Sequence, residues 1–178
     1  MSIIAKENRR EWTQPPEGLH PGICVDVIDL GLVKTEWGDK EKIRLIWEVA
    51  LFKEDGVTEQ LNPDFDEPKR FEVRRDFGLS LSEKSALRPF LESWRGRKFT
   101  PKELEGFDLE KLLAVNCQLQ LIHNITEQGR IYSNVQAAVP LGRGMAKVHP
   151  ANGYVRVKDR VKAQGTGETA GEDEEVPF

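Results

Sequence analysis

RFEVRRDFGLSLSEKSALRPFLESWRG, residues 70–96, changes its hydrophobic period halfway along. From Arg70 to Leu79, Phe71, Val73, Arg75 and Phe77 alternate with Arg70, Glu72, Arg74 and Asp76. A period of two predicts a strand with one buried face. Beyond Ser82 the spacing becomes helical, with Ala86, Leu87, Phe90, Leu91 and Trp94 on one stripe. Ser82 is the expected cap and Gly96 the expected stop. A strand that runs into a lone amphipathic helix narrows the choice of fold, provided the rest of the chain is strand-patterned.

It is. Upstream, Lys42 to Phe52 places Ile43, Leu45, Trp47, Val49 and Leu51 on one face and Lys42, Arg44, Ile46 and Glu48 on the other. Before it, His20 to Thr35 reads as a long strand in which Ile23, Val25 and Val27 alternate with Cys24, Asp26 and Ile28, bulged near Gly31. EWGDKE, residues 36–41, is a turn, and 53–69, with KEDG and NPDFDEP, is a loop. Downstream, DLEKLL at 108–113 predicts a single helical turn. Val115, Cys117, Leu119 and Leu121 mark a fourth strand, Glu127-Gln128-Gly129 a hairpin turn, and Arg130 to Val139 a fifth strand. Three strands, a helix and two strands is the layout of a mainly β, five-stranded oligonucleotide-binding (OB) barrel, its helix plugging one end.

The chain has 178 residues, 26 basic and 30 acidic, and a formal charge of −4. That length suits one domain with tails. The expected division is an arm at 1–17, the barrel at 18–142, a basic extension at 143–162 and an acidic, disordered tail at 163–178. No apolar run approaches the roughly 20 residues that cross a bilayer. The opening MSIIAKENRREW lacks the apolar stretch of a secretion signal, so the expected address is the cytoplasm. Cys24 and Cys117 lie in strand-like apolar runs and read as reduced core residues.

The bulk charge hides two opposed blocks. Six bases against Asp159 give 143–162 a net +5, whereas five acids and no base give 163–178 a net −5. Composition of the second kind does not bury enough surface to order itself. It ends in Val176-Pro177-Phe178, apolar residues behind a string of carboxylates, the chemistry of a docking tip for a basic surface.

Catalysis has little to stand on. Neither a phosphate-binding G-x-x-x-x-G-K-[ST] loop nor a G-x-S-x-G elbow occurs, and His20, His123 and His149 are too scattered for zinc. Asp26 and Asp29 flank a strand, and Asp64, Asp66 and Glu67 share a Pro-rich loop. The expectation is a non-enzymatic protein without metal or cofactor.

Polyanion binding has more. Arg70, Arg74 and Arg75 interleave with aromatic residues on the third strand, and Lys34, Lys40, Lys42 and Arg44 surround the first turn. In an OB barrel the ligand face crosses strands two and three, edged by the loops joining strands one and two and strands four and five. Those loops carry Trp37 and Arg130, with Tyr132 just beyond. Cations for phosphates and flat rings for bases are what sequence-tolerant single-strand binding needs. Phe71, Phe77, Trp47 and Trp94 share apolar faces and read as core, leaving Trp37 and Tyr132 as the expected stacking platforms. Arg95, Arg97 and Lys98 either solvate the helix end or form an outlying phosphate contact.

The tip EDEEVPF resembles the acidic, Pro-Phe-ended terminus of bacterial single-stranded DNA-binding proteins. The segment 70–100, with Gly129-Arg130-Ile131-Tyr132 downstream, resembles the small OB-fold single-stranded DNA-binding proteins of bacteriophage replication modules. The resemblance implies that Phe178 anchors in a basic-rimmed pocket of replication and recombination proteins. Pro177 would position it, and Asp173, Glu174 and Glu175 would steer. Val176 departs mildly from the Ile usual there. The strand sequences of the bacterial family are absent, so its tetramer is not implied, although some self-association remains open. The expected function is sequence-independent coating of single-stranded DNA. The alternative is a protein-interaction module with an OB-like barrel.

Overall fold

The computed structural model describes residues 3, 5 and 11–163. The strands are β1 (Gly18–Thr35), β2 (Gly38–Val49), β3 (Phe71–Gly78), β4 (Asn116–Ile125) and β5 (Ile131–Val139). They form one antiparallel sheet in the order β3-β2-β1-β4-β5. Helix is sparse among the described residues: α1 (Leu87–Arg95), α2 (Pro101–Glu105), a 3-10 turn at Leu109–Leu112, and α3 (Val157–Ala163).

The alternation of β2 and β3 places Ile43, Leu45, Trp47, Val49, Phe71, Val73 and Phe77 on the inner face, all buried. Against them α1 lays Leu87, Phe90, Leu91 and Trp94. Trp47 meets both Phe90 and Trp94 at 5.8 Å, and Phe77 meets Phe90 at 4.8 Å. Aromatic pairs at such spacing contribute about 0.5–1.5 kcal/mol each beyond their buried area. Cys24 and Cys117 are buried in the same core, and burial pushes the Cys24 thiol up to about 12, away from reactivity.

The first strand departs from simple alternation. Register shifts occur at Val25 and at Leu30, beside Gly31 with its positive φ of 64°. The second bulge lies where the sequence pattern puts one. The first turns the strand over: Cys24 and Val27 face the core, while Ile23 and Val25 join a second apolar cluster with Ala50 and Val148. A single extra residue swaps the faces of everything after it.

The helical region also differs in detail. Helix α1 begins at Leu87 rather than Ser82, with the Ser85 hydroxyl accepting from the Arg88 N–H at 3.3 Å. The turn α2 went unrecognised, although Thr100-Pro101 with Glu103 carries its signal: the Thr100 hydroxyl accepts from the Glu103 N–H at 3.3 Å.

Sheet edges β3 and β5 come into contact, with no ladder between them. Arg75 bridges the gap. Its guanidinium donates to the carbonyls of Val135 at 3.0 Å and Gln136 at 2.9 Å.

The described part of the expected arm and most of the expected basic extension are packed on the sheet. Residues 11–17 run along the β4–β5 hairpin, where the Ser133 N–H donates to Gln14 at 2.9 Å and the His123 ring lies 2.7 Å from the Pro15 carbonyl. Residues 145–163 cross the outer face as a strap. Val148 buries against Ile23 and Val25, and Tyr154 packs beside them. The basic block is therefore part of the folded domain, because buried acids on that face supply its partners.

Candidate nucleic-acid interface

The outer face of β2 and β3 is a series of cross-strand pairs: Glu48–Glu72, Ile46–Arg74, Arg44–Asp76 and Lys42–Gly78. On the other side of β2, β1 contributes Ile23, Asp26, Ile28 and Gly31 at the same levels. This face divides in two. The strap covers the end near Ile23, Asp26 and Glu48. The end at Lys42, Arg44 and Arg74 lies beyond it.

Arg44 makes a two-pronged contact with Asp76, at 2.7 and 2.9 Å, and that hydrogen bond raises its pKa further. Arg74 moves the other way: desolvation lowers its pKa first, and the charge of Arg44 adds to the shift. The Asp76 carboxylate acts on Arg74 in the opposite sense, so the two guanidinium groups share one carboxylate on this face. Lys42 and Lys40 continue along the same face of the β1–β2 hairpin, opposite Gly31 and Val33. Lys34 lies on the reverse face of that ribbon, one residue out of step with Val33, and pairs with Asp39.

Trp37 crowns the hairpin at 83% exposure. Its turn is held by the Thr35 hydroxyl, which donates to the Gly38 carbonyl at 2.6 Å and accepts from the Trp37 N–H at 3.2 Å. Gly38 takes a φ of 101°, which side-chain-bearing residues avoid. The ring is thus displayed by a fixed turn. Tyr132 is 45% exposed and pairs with Asn124 on the side of β5 away from Val135. Arg130 lies in the adjoining turn, its N–H donating to Thr126 at 3.0 Å.

Two of the expected DNA contacts have structural work instead. Arg75 shares the inner face with Phe71, Val73 and Phe77, as its place in the alternation demands. It stacks over Phe77 at 4.6 Å and Phe90 at 5.2 Å while closing on β5. Arg70 lies at the covered end, where it pairs with Glu59 at 2.6 Å, lies 3.7 Å from Glu48 and donates to the His149 carbonyl. Both cations answer internal acceptors rather than solvent. Lys42, Arg44 and Arg74 are the expected residues that one face brings together.

The strap contacts were missed at the sequence level. Asp26 is 1% exposed and accepts from Tyr154 Oη at 2.9 Å, Arg156 Nε at 3.0 Å and the Val157 N–H at 2.9 Å. Glu48 is fully buried and accepts from the Ala151 N–H at 2.8 Å. Their signal was present: an acid in each of two apolar strands, beside Ile23 and Ile46, requires a partner from elsewhere. Arg156 also pairs with Glu110 at 2.6 Å, joining the strap to the 3-10 turn.

A cavity of about 60 Å³ lies among Leu91, Trp94, Phe99, Phe107, Leu112 and Val115, with Arg95 at its wall. Arg95 is tied to Glu103, so the cavity offers no set of polar groups for chemistry. Among the described residues no group of three or more His, Cys, Asp or Glu could hold a metal, and no helix is long and apolar enough to cross a membrane. The docking residues Asp173, Glu174, Glu175, Val176, Pro177 and Phe178 lie outside the described residues. No protein-family model matches the chain, and no curated protein matches it by sequence.

Proposed function

We propose that this is a non-catalytic single-stranded DNA-binding protein built on an OB-type barrel. It coats exposed strands without sequence preference during replication or recombination, in keeping with its resemblance to phage proteins of that kind. The carrying observation is the outer face of β2 and β3. There Lys42, Arg44 and Arg74 lie together beside a hairpin that holds Trp37 in solvent. Cations bind the backbone, the ring stacks on a base, and neither contact reads sequence. The order of strands and helix supports the barrel, with Arg75 joining its edges. The acidic tip, by its chemistry, recruits replication or recombination proteins.

Titration with oligo(dT), duplex DNA and RNA across a salt series tests this reading. Tight, salt-sensitive binding of oligo(dT) with quenching that disappears in Trp37→Phe is expected. Absence of binding at low salt overturns it.

A second reading has its own observation. Leu32, Ile125 and Ile131 are 70%, 71% and 52% exposed on the two hairpins, a display suited to a protein partner. A protein-interaction module would retain its partner after Arg44→Gln/Arg74→Gln and would not bind oligo(dT).

A further inference from the structure

Three carboxylates stand in a row across the outer face. Asp26 on β1 and Glu48 on β2 are buried, and Glu72 on β3 directly faces Glu48. Bare, that row would repel a polyanion. The strap lies over it and turns its hydrogen-bonding groups inward: Tyr154, Arg156 and the Val157 amide to Asp26, the Ala151 amide to Glu48, and Asn152 to the backbone of Arg70 beside Glu72. Within the strap, Arg156 gives its guanidinium to a buried acid, as Arg70 just ahead of β3 does beside Glu48.

Three other cations of the strap, Lys147, Lys158 and Arg160, are exposed. Lys158 is 58% exposed even while pairing with Glu110, and Arg160 lies over the Tyr154 ring at 5.2 Å. The strap therefore covers Asp26 and Glu48 and carries exposed cations of its own. It also meets the open half without a break. Ile46 packs against the cluster of Val148 and Tyr154, and its cross-strand partner is Arg74.

We infer that the strap is a fixed, cationic component of the nucleic-acid surface, with Lys147, Lys158 and Arg160 holding phosphates of the strand that Lys42, Arg44 and Arg74 engage. A strap that had to leave before binding would uncover Asp26 and Glu48 beside the exposed Glu72, the wrong charges for the ligand. The inference rests on the reading of this face as a single-strand binder and extends the track across the covered half.

The test uses the full chain and fluorescein-labelled oligo(dT), with affinity measured over a salt series. Lys147→Gln/Lys158→Gln is compared with Arg44→Gln/Arg74→Gln. Each lost phosphate contact is expected to flatten the slope of log affinity against log salt by about 0.7. A wild-type slope in the strap variant, with a flattened one in the Arg44/Arg74 variant, overturns the strap proposal and leaves the reading of the face intact. Wild-type slopes in both overturn that reading. Tyr154→Phe loosens the strap without changing charge. Tighter binding by that variant would make the strap a competitor of DNA and also overturn the inference.

Discussion

Replacing Arg156 with Met should detach the strap, and the cost follows from the Asp26 socket. The carboxylate is 1% exposed and accepts three bonds of 2.9 to 3.0 Å, all from residues 154–157. Removing one partner of a buried ion pair costs about 3–5 kcal/mol, because the remaining charge stays desolvated. Here Tyr154 and the Val157 amide remain, and the accompanying Glu110 pair is half-exposed and worth little. About 3 kcal/mol, the lower end, is the expected loss. Because the strap is one peripheral segment, the loss should appear as local opening. Amide exchange at Ala151 and Val157, which donate to Glu48 and Asp26, should quicken by about two orders of magnitude. Exchange in the inner strands should hardly change. A double-mutant cycle of Arg156→Met with Asp26→Asn should show coupling above about 1 kcal/mol. Unchanged exchange in Arg156→Met, or additive losses in the cycle, would refute the socket as the strap's anchor.

The other predictions concern separate elements. Trp37→Ala should weaken oligo(dT) binding by about 5- to 150-fold, the worth of one stacked base, while leaving thermal stability unchanged; equal affinity would remove Trp37 from the surface. Arg75→Ala should cost about 3 kcal/mol in urea unfolding, since two charged hydrogen bonds to β5 and its ring contacts are lost together. The folded fraction should still bind. Arg95 first and Arg97 next hold the Glu103 carboxyl down, at about 2. Its contribution is therefore present above the ordinary carboxylate range and lost as pH falls toward 2, so Glu103→Gln should flatten the acid limb of a stability–pH curve. Glu72 has the opposite sign: desolvation, with Glu48 adding, holds its carboxyl up. Stability falls as pH rises through that raised value, and Glu72→Gln should remove the decline and stabilise the protein at neutral pH.

Pattern reading reached the strands because one face of each is buried, and burial imposes a strict period. KIRLIWEVALF and RFEVRRDF placed the correct residues on the inner face of β2 and β3. The same alternation already assigned Arg75 to the inner face, so its chemistry as a cation misled where its register did not. Helix α1 was visible as a stripe, but its start moved from Ser82 to Leu87 because a serine signals a turn as readily as a cap. The bulge at Val25 was invisible, since an inserted apolar residue in an apolar run leaves no mark on the pattern.

The division lies between short-range and long-range causes. Period, turn chemistry and charge blocks act over neighbouring residues, so the five strands, the turn that displays Trp37 and the cationic alternation of Lys42, Arg44 and Arg74 could all be read along the chain. What satisfies the two buried acids depends on contacts more than a hundred residues apart. Asp26 with Arg156, and Glu48 with Ala151, exist because folding brought a buried carboxylate and a distant donor to one point of the sheet. Linear charge counting gave a basic extension there and left its folding open; desolvation made it a strap, since an acid without water must find its partner wherever the fold supplies one.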